Sequence, residues 1–264
     1  MDPISQFKEM QKQGWTHFAP LQALTTPAAA QLVRHASIRA GNKVLDVACG
    51  TGVVAITAAR LGAKVTGLDL TPELLAHARE NSSIAKVDVK WHEGDVENLP
   101  FEDSSFDVVV SQFGHMFAPR PEVAIGEMLR VLKTGGTIAF ATWPPELLIG
   151  RSFVLAGRYA PPPPGVAPPP LWGDPNIVRE RLASGAKQIT FDRARMEVPA
   201  LSLQHFRKTI EQTAGPIIKL VEFLSATDPA KLAAFRSEYE ALVSEYFEGN
   251  VVHQDYLLTR AVKS

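Results

Sequence analysis

An acidic residue and two glycines stand close together just before a helix. Residues 44–52, VLDVACGTG, have the pattern of a buried strand that ends in a tight glycine turn. Gly50 and Gly52 allow the backbone to pass close to a bound group, and the free N–H groups at the helix start favour an anionic group. The Asp46 carboxylate would repel a diphosphate over this turn, and Ala55 replaces the third glycine of the dinucleotide-binding fingerprint. The turn therefore favours a ligand with a cationic group beside Asp46 and one carboxylate near the helix start, and a strand–turn–helix without any ligand is the alternative.

Two further acidic residues follow predicted strands. Asp69 lies in the strand at residues 64–70, and a carboxylate at the end of the second strand of an α/β unit accepts hydrogen bonds from ribose hydroxyls. Its alternative role is to cap the next helix, although Thr71 is better placed for that. The pair Gly94 and Asp95 follows a third strand, and taken alone it is typical of a turn.

Taken in series, these segments resemble the class I S-adenosylmethionine-dependent methyltransferases, in particular the UbiE-like (methyltransferase type 11) group. Residues 46–52 resemble the cofactor loop of that family, residues 94–101 (GDVENLPF) its adenine-binding motif, and residues 132–137 the glycine turn after a helix. The resemblance implies S-adenosylmethionine as the cofactor, with Asp69 on the ribose and Asp95 on the exocyclic amine of adenine. The cofactor-binding residues that it implies are Trp15, Phe18, Asp46, Ala48, Gly50, Thr51, Gly52, Asp69, Leu70, Gly94, Asp95, Val96, Ser111, Gln112 and Phe113.

The same resemblance implies the elements that position these residues. It implies an α/β fold with a Rossmann-like, doubly wound, seven-stranded and mostly parallel sheet of order 3-2-1-4-5-7-6, an antiparallel last strand and a helical cap. Trp15 and Phe18 would then cover the cofactor, and packing on the sheet edge is their alternative. The predicted organisation is an N-terminal helical segment over the cofactor (1–42), a cofactor-binding core (43–143), a cap with the sixth strand (144–250) and the last strand (251–264). The cap includes a proline-rich stretch at residues 161–170. For the cap as a whole, a linker or a surface decoration without contact to substrate is the alternative.

Methyl transfer from a sulfonium makes modest demands on the protein. The leaving thioether is neutral, so the protein has mainly to position and desolvate the reactants, and a base is needed only when the acceptor must lose a proton. His115 follows the fourth strand, where open parallel sheets bind ligands. It is the candidate catalytic residue, as a base or an orienting group, and a structural histidine is the alternative.

Signatures of other subclasses are missing. Residues 111–114 (SQFG) replace the Asn/Asp-Pro-Pro-Tyr/Phe motif of enzymes that methylate amino groups of nucleic-acid bases. Cys49 lies in the cofactor loop, the wrong place for the covalent nucleophile of cytosine-C5 enzymes. We expect no metal, because no cluster of Asp, Asn and Glu after the fourth strand indicates a Mg²⁺ site.

Composition narrows the class of protein. The chain has 264 residues, 45% hydrophobic content, a formal net charge of −1 and one cysteine. Its length supports one large core, or a core domain with an added segment. Its charge argues against a dedicated nucleic-acid binder, and one cysteine excludes an internal disulfide. The sequence contains no apolar run of about 18 residues, so it predicts no membrane-spanning helix. The opening residues lack a signal pattern, so we expect a cytoplasmic location.

These observations lead to one expected function and several alternatives. We expect S-adenosylmethionine-dependent methylation of a small, partly hydrophobic molecule at O, C or N, without a nucleic-acid partner. A non-catalytic S-adenosylmethionine-binding protein is one alternative. An aminopropyltransferase on the same fold is another, although the loop after Ser111 offers no nearby acidic group for a polyamine. A nicotinamide dehydrogenase is disfavoured by Asp46. The acceptor atom, the substrate and the oligomeric state do not follow from the sequence.

Overall fold

The structure is a computed structural model, and it describes residues 2–264. The strands in this part of the chain are β1 (Lys43–Val47), β2 (Lys64–Asp69), β3 (Val89–Glu93), β4 (Phe106–Gln112), β5 (Leu132–Thr142), β6 (Ala186–Pro199), β7 (Phe247–Glu248) and β8 (Val251–Lys263). The α-helices are α1 (Pro3–Trp15), α2 (Gln22–His35), α3 (Val53–Arg60), α4 (Pro72–Ile84), α5 (Pro121–Val131), α6 (Leu148–Tyr159), α7 (Pro175–Leu182), α8 (Leu203–Thr213), α9 (Gly215–Thr227) and α10 (Pro229–Ser244). Short 3-10 helices lie at Ala19–Leu21, His115–Phe117 and Pro169–Gly173.

One sheet organises the molecule. Its strand order is β3-β2-β1-β4-β5-β8-β6, with β7 paired to β8. Strands β1 to β5 are parallel to one another, and β8 runs antiparallel to both β5 and β6. The predicted order is confirmed, because the last long strand inserts between the fifth and sixth strands.

The prediction of seven strands misses β7. The chain turns back through Gly249 and Asn250, both with positive φ (56° and 62°), which is the backbone of a two-residue hairpin turn. Strand β7 has only two residues, too few to show a period-two pattern in the sequence.

The central strands are apolar because helices cover both faces of the sheet. In β4, the three valines 108–110 are at most 5% exposed, as expected for a parallel strand buried on both faces. Helix α3 follows the glycine turn directly and packs against α2, with the small residues Ala55 and Ala58 fully buried. The parallel pairing of β1 with β2 and with β4 brings the carboxyl ends of these strands to a common edge.

A helical layer follows β5. Helix α6, which the sequence pattern did not indicate, packs on α10, and α8, α9 and α10 pack on one another. The proline-rich stretch ends in the 3-10 helix Pro169–Gly173, which buries Trp172. Among residues 2–264, no helix combines the length and the apolar character that a membrane crossing requires.

Candidate functional site

A cavity of about 260 Å³ runs along the carboxyl ends of the central strands and continues under the helices that follow β5. Its first part, the glycine-loop half, is formed by the segments that follow β1, β2 and β3. Its second part, the cap half, lies between the sheet face of β5, β6 and β8 and helices α6, α8, α9 and α10. The predicted cofactor residues found in the wall are Trp15, Phe18, Asp46, Ala48, Gly50, Thr51, Asp69, Leu70, Gly94, Asp95, Val96, Gln112 and Phe113.

Asp46 provides a buried carboxyl in the glycine-loop half. Its residue is 1% exposed, and the Ala55 N–H donates to its Oδ2 at 2.9 Å. Within the described chain its Oδ1 has no hydrogen-bond partner. Burial raises the pKa of this carboxyl to about 8. An ammonium group beside Oδ1 would supply the missing partner and favour the ionised form.

The glycine turn after β1 depends on unusual backbone conformations. Ala48 and Gly50 have positive φ (51° and 54°), and Gly52 does too (84°), at the cap of α3. A Cβ on Gly52 would lie 2.6 Å from the Trp91 ring. Gly52 is therefore required by packing, and it is not part of the cavity wall.

Asp69 connects the glycine turn to β2. The Gly50 N–H donates to its Oδ2 at 2.7 Å, and the Thr71 N–H donates to its Oδ1 at 2.8 Å. Burial raises the pKa of this carboxyl. The Thr71 contact is a turn hydrogen bond just before α4, whose N-cap residue Thr71 makes no side-chain capping bond. Asp69 also lines the cavity. Each oxygen keeps a lone pair for a further donor.

Asp95 is held by a network that includes the N-terminal helix. The Glu97 N–H donates to Asp95 Oδ1 at 2.9 Å, and Lys8 Nζ lies 2.5 Å from Asp95 Oδ2 and 2.5 Å from Glu97 Oε2. Glu97 also pairs with Arg120 at 2.7 Å. Lys8 is a wall residue that the sequence did not indicate. These ion pairs hold α1 over the end of β3.

Aromatic rings complete the N-terminal side of the wall. The Trp15 ring contacts Phe18 (centroids 5.8 Å apart) and Phe117 (4.7 Å), and all three line the cavity. At the end of α1, Gly14 meets Gly215 of α9 backbone to backbone, and a Cβ on Gly215 would lie 2.8 Å from the Gly14 carbonyl carbon. The N-terminal segment thus contacts the helical layer that covers the cap half.

Besides Gly52, two predicted site residues lie outside the wall. Ser111 is fully buried, and its Oγ accepts the His115 N–H at 3.1 Å. The His115 ring is 0% exposed and packs between Phe140 and Trp172, with each centroid 4.6 Å away. Burial lowers the pKa of His115 to about 3. The structure therefore does not bring His115 or Ser111 to the cavity, and a base role for His115 does not fit this placement.

The cap half is apolar. Its wall includes Trp143 from the end of β5, Ile149 and Phe153 from α6, and Ile210 and Ile217 from α8 and α9. The charged residues among the described wall residues are Lys8, Asp46, Asp69 and Asp95, all in the glycine-loop half. None of these cap residues had a sequence signal beyond ordinary helix or strand periodicity.

Comparison with known proteins identifies the family of this chain. The sequence model described as "Methyltransferase domain" matches residues 45–140. A protein of Mycobacterium tuberculosis, named as uncharacterised, is 34% identical over 257 residues, which cover 96% of this chain and 93% of that protein. The demethylmenaquinone methyltransferase of Chlorobaculum parvum is 46% identical over 118 residues, 44% of this chain and 46% of that enzyme. The solved structure of the YcgJ protein from Bacillus subtilis has a TM-score of 0.59 and 20% identity, covers 89% of this chain and 98% of that one, and shows the shared fold.

Proposed function

We infer that the chain, which belongs to the class I S-adenosylmethionine-dependent methyltransferases, uses S-adenosylmethionine as its cofactor and that its methyl acceptor is a small, partly hydrophobic molecule held in the cap half of the cavity. The observation that carries this proposal is the continuity of the two halves: one cavity joins the polar glycine loop to an apolar space covered by helices. Mostly apolar clefts and cavities of a few hundred Å³ are typical of small-molecule sites. Residues 144–250 act as the cap in this proposal.

The residues of the glycine-loop half fit the cofactor. The unpartnered Oδ1 of Asp46 suits the ammonium group of the methionine end, because a buried carboxylate needs a partner. The N–H groups at the start of α3 suit its carboxylate. Asp69 and the segment from Gly94 to Val96 suit the ribose and the adenine. We propose these assignments on the chemistry of the donors and acceptors.

When bound, S-adenosylmethionine supplies a methyl group on a sulfonium, a good leaving group that departs neutral. The contribution of the protein is to hold the acceptor against this methyl group and to exclude water. Phe113 stacks on Trp143 (centroids 4.0 Å, interplanar angle 10°) and Trp143 contacts Tyr256. This aromatic group gives a rigid, dry surface between the two halves of the cavity.

The cap half offers no general base of ordinary pKa. The ionisable group in its described wall is the Tyr239 phenol, and burial raises the pKa of Tyr239. The acceptor atom must therefore attack without help from a carboxylate or imidazole of the cap. This favours an acceptor that is already a nucleophile at neutral pH.

Filling the cap half tests the proposal. We expect Ile217→Trp to abolish methyl transfer to small acceptors while leaving the affinity for S-adenosylhomocysteine within about threefold of wild type, because Ile217 is remote from the glycine loop. Leu201→Trp, on a side chain that is 75% exposed, is the matched control and should keep activity. The measurements are calorimetry with S-adenosylhomocysteine and transfer of a labelled methyl group to a panel of small acceptors.

Several results would contradict the proposal. If Ile217→Trp stays fully active and the labelled product is a protein or a nucleic acid, the acceptor binds outside the cavity. Tight S-adenosylhomocysteine binding without turnover on any acceptor would favour the non-catalytic alternative, and turnover of the decarboxylated cofactor would favour an aminopropyltransferase. A cytoplasmic location and the lack of a nucleic-acid partner stay predictions.

A further inference from the structure

Gln254 places a side-chain amide in the wall of the cap half, where it faces the cavity without a partner in the described part of the chain. It lies on β8, where its backbone is paired with that of Met196 on β6, and the residue is 6% exposed. No side-chain hydrogen bond of Gln254 is formed within residues 2–264. The Ser152 hydroxyl, a polar wall group of the same half, donates to the Leu148 carbonyl at 2.8 Å.

An unpartnered amide in an apolar wall is unfavourable for folding. Burying an amide without a hydrogen bond costs free energy, and an apolar side chain of the same size would avoid that cost. Buried polar groups in folded proteins almost always have partners. The Gln254 amide therefore indicates a group that enters the cavity and bonds to it.

The sheet register places Gln254 at the far end of the cavity from the glycine loop. Gln112 at the end of β4 is aligned with Ala141 of β5, and Ala141 is aligned with Leu258 of β8. Gln254 precedes Leu258 by an even number of residues, so it lies on the same face of the sheet as Gln112. Four residues along a strand and two strand spacings put the two glutamine Cα atoms about 16 Å apart.

We propose that Gln254 recognises a neutral oxygen of the methyl acceptor, a carbonyl, hydroxyl or amide at the end remote from the methyl-accepting atom. This inference rests on the proposed function. The oxygen is neutral because the cap half has no charged wall residue to balance a carboxylate or an ammonium, and an unbalanced charge is too costly to bury. The acceptor is thus an uncharged, largely apolar molecule with polar atoms at two ends.

Matched pairs of ligands test the inference. The probes are para-hydroxyacetophenone against para-ethylphenol, and the longer para-hydroxybenzylacetone against para-butylphenol; in each pair a carbonyl is present or absent at the remote end. Calorimetry is done on protein saturated with S-adenosylhomocysteine, for wild type, Gln254→Met and the control Gln204→Met, whose amide bonds Glu240 on the surface. We expect wild type and the control to prefer the ketone of at least one pair by about fivefold to tenfold. Gln254→Met should lose this preference.

A second readout separates recognition from a structural role. Without ligand, Gln254→Met should have a melting temperature equal to or above that of wild type, because it removes an unpartnered buried amide. A lower melting temperature, a ketone preference that survives in Gln254→Met, or no binding of either pair to the S-adenosylhomocysteine complex would overturn the inference. Failure of wild type to bind S-adenosylhomocysteine would instead contradict the proposed function itself.

Discussion

Replacing Asp46 by asparagine should make the ligand-free protein more stable and the cofactor site weaker. Burial raises the pKa of Asp46 from its ordinary value of 3.8 to about 8, and each pKa unit is worth about 1.4 kcal/mol. At pH 7 the unfolded chain ionises this carboxyl and the folded chain does not, so the carboxyl lowers the free energy of unfolding by at most about 4 kcal/mol. Asparagine avoids this cost and keeps an oxygen that can accept the Ala55 N–H.

The sign of the pH dependence follows from the raised pKa. Below pH 3.8 the carboxyl is protonated in both states, and its contribution to stability is fully present; between pH 3.8 and about 8 the contribution is lost as the unfolded state ionises. Asp46→Asn should therefore match wild type near pH 4 and exceed it by about 1–4 kcal/mol at pH 7. Urea unfolding of the ligand-free protein at several pH values measures this difference. Asp88→Asn, at an exposed position, is the control and should follow wild type.

Cofactor affinity should move in the opposite direction. Loss of a charge-assisted hydrogen bond to the ammonium group should weaken S-adenosylhomocysteine about tenfold to a hundredfold. Wild-type binding below pH 8 should also release a proton, because the ammonium favours the ionised Asp46, and calorimetry in buffers of different ionisation enthalpy detects that release. If Asp46→Asn is less stable than wild type at pH 7, or binds S-adenosylhomocysteine equally well, the assignment of an ammonium to Asp46 is refuted.

Three further substitutions test other parts of the site. Lys8→Met should increase hydrogen exchange in α1 and speed S-adenosylhomocysteine dissociation, because Lys8 makes two partly buried ion pairs. The control Lys12→Met removes a more exposed ion pair and should change the exchange rate and the dissociation rate by less. Equal effects of the two substitutions would contradict the role of Lys8. His115→Phe should keep the wild-type pH profile of turnover, and a lost or shifted profile would support His115 as a base. Its free energy of unfolding should exceed that of wild type by a margin that grows as pH falls below 6.5, because burial lowers the pKa of His115 to about 3 and protonation favours the unfolded state. Gly215→Val should separate α9 from α1 and weaken S-adenosylhomocysteine binding, whereas Gly157→Val, at a position with open space around it, should not.

The local motifs of the cofactor site were predictable because each depends on neighbouring residues. The turn at Gly50, the acidic end of β2 at Asp69 and the Gly94–Asp95 pair are short segments whose backbone is set within a few positions. The structure brings all of them to one edge of the sheet. Parallel strands joined by helices make that convergence a consequence of the fold class.

The end of β4 and the turn after it show where local reasoning stops. Residues 111–113 were predicted as a unit, but alternation along the strand turns Ser111 away from the cavity and Gln112 toward it. Phe113 interrupts the alternation with a positive φ of 60°, so it also reaches the wall. His115 then follows in a 3-10 turn that buries its ring, and no spacing in the sequence distinguishes that outcome from an exposed catalytic histidine.

The amino-acid sequence by itself determined the cofactor loop and the acidic residues around it, because these depend on short motifs. The order of the long strands followed from the family resemblance that those motifs carry. The tertiary structure alone decided that Lys8 reaches Asp95, that Gly14 meets Gly215, and that Gln254 faces an apolar cavity. These contacts join residues far apart in the chain, and their side chains are selected by packing against distant elements, for which a linear pattern contains no signal.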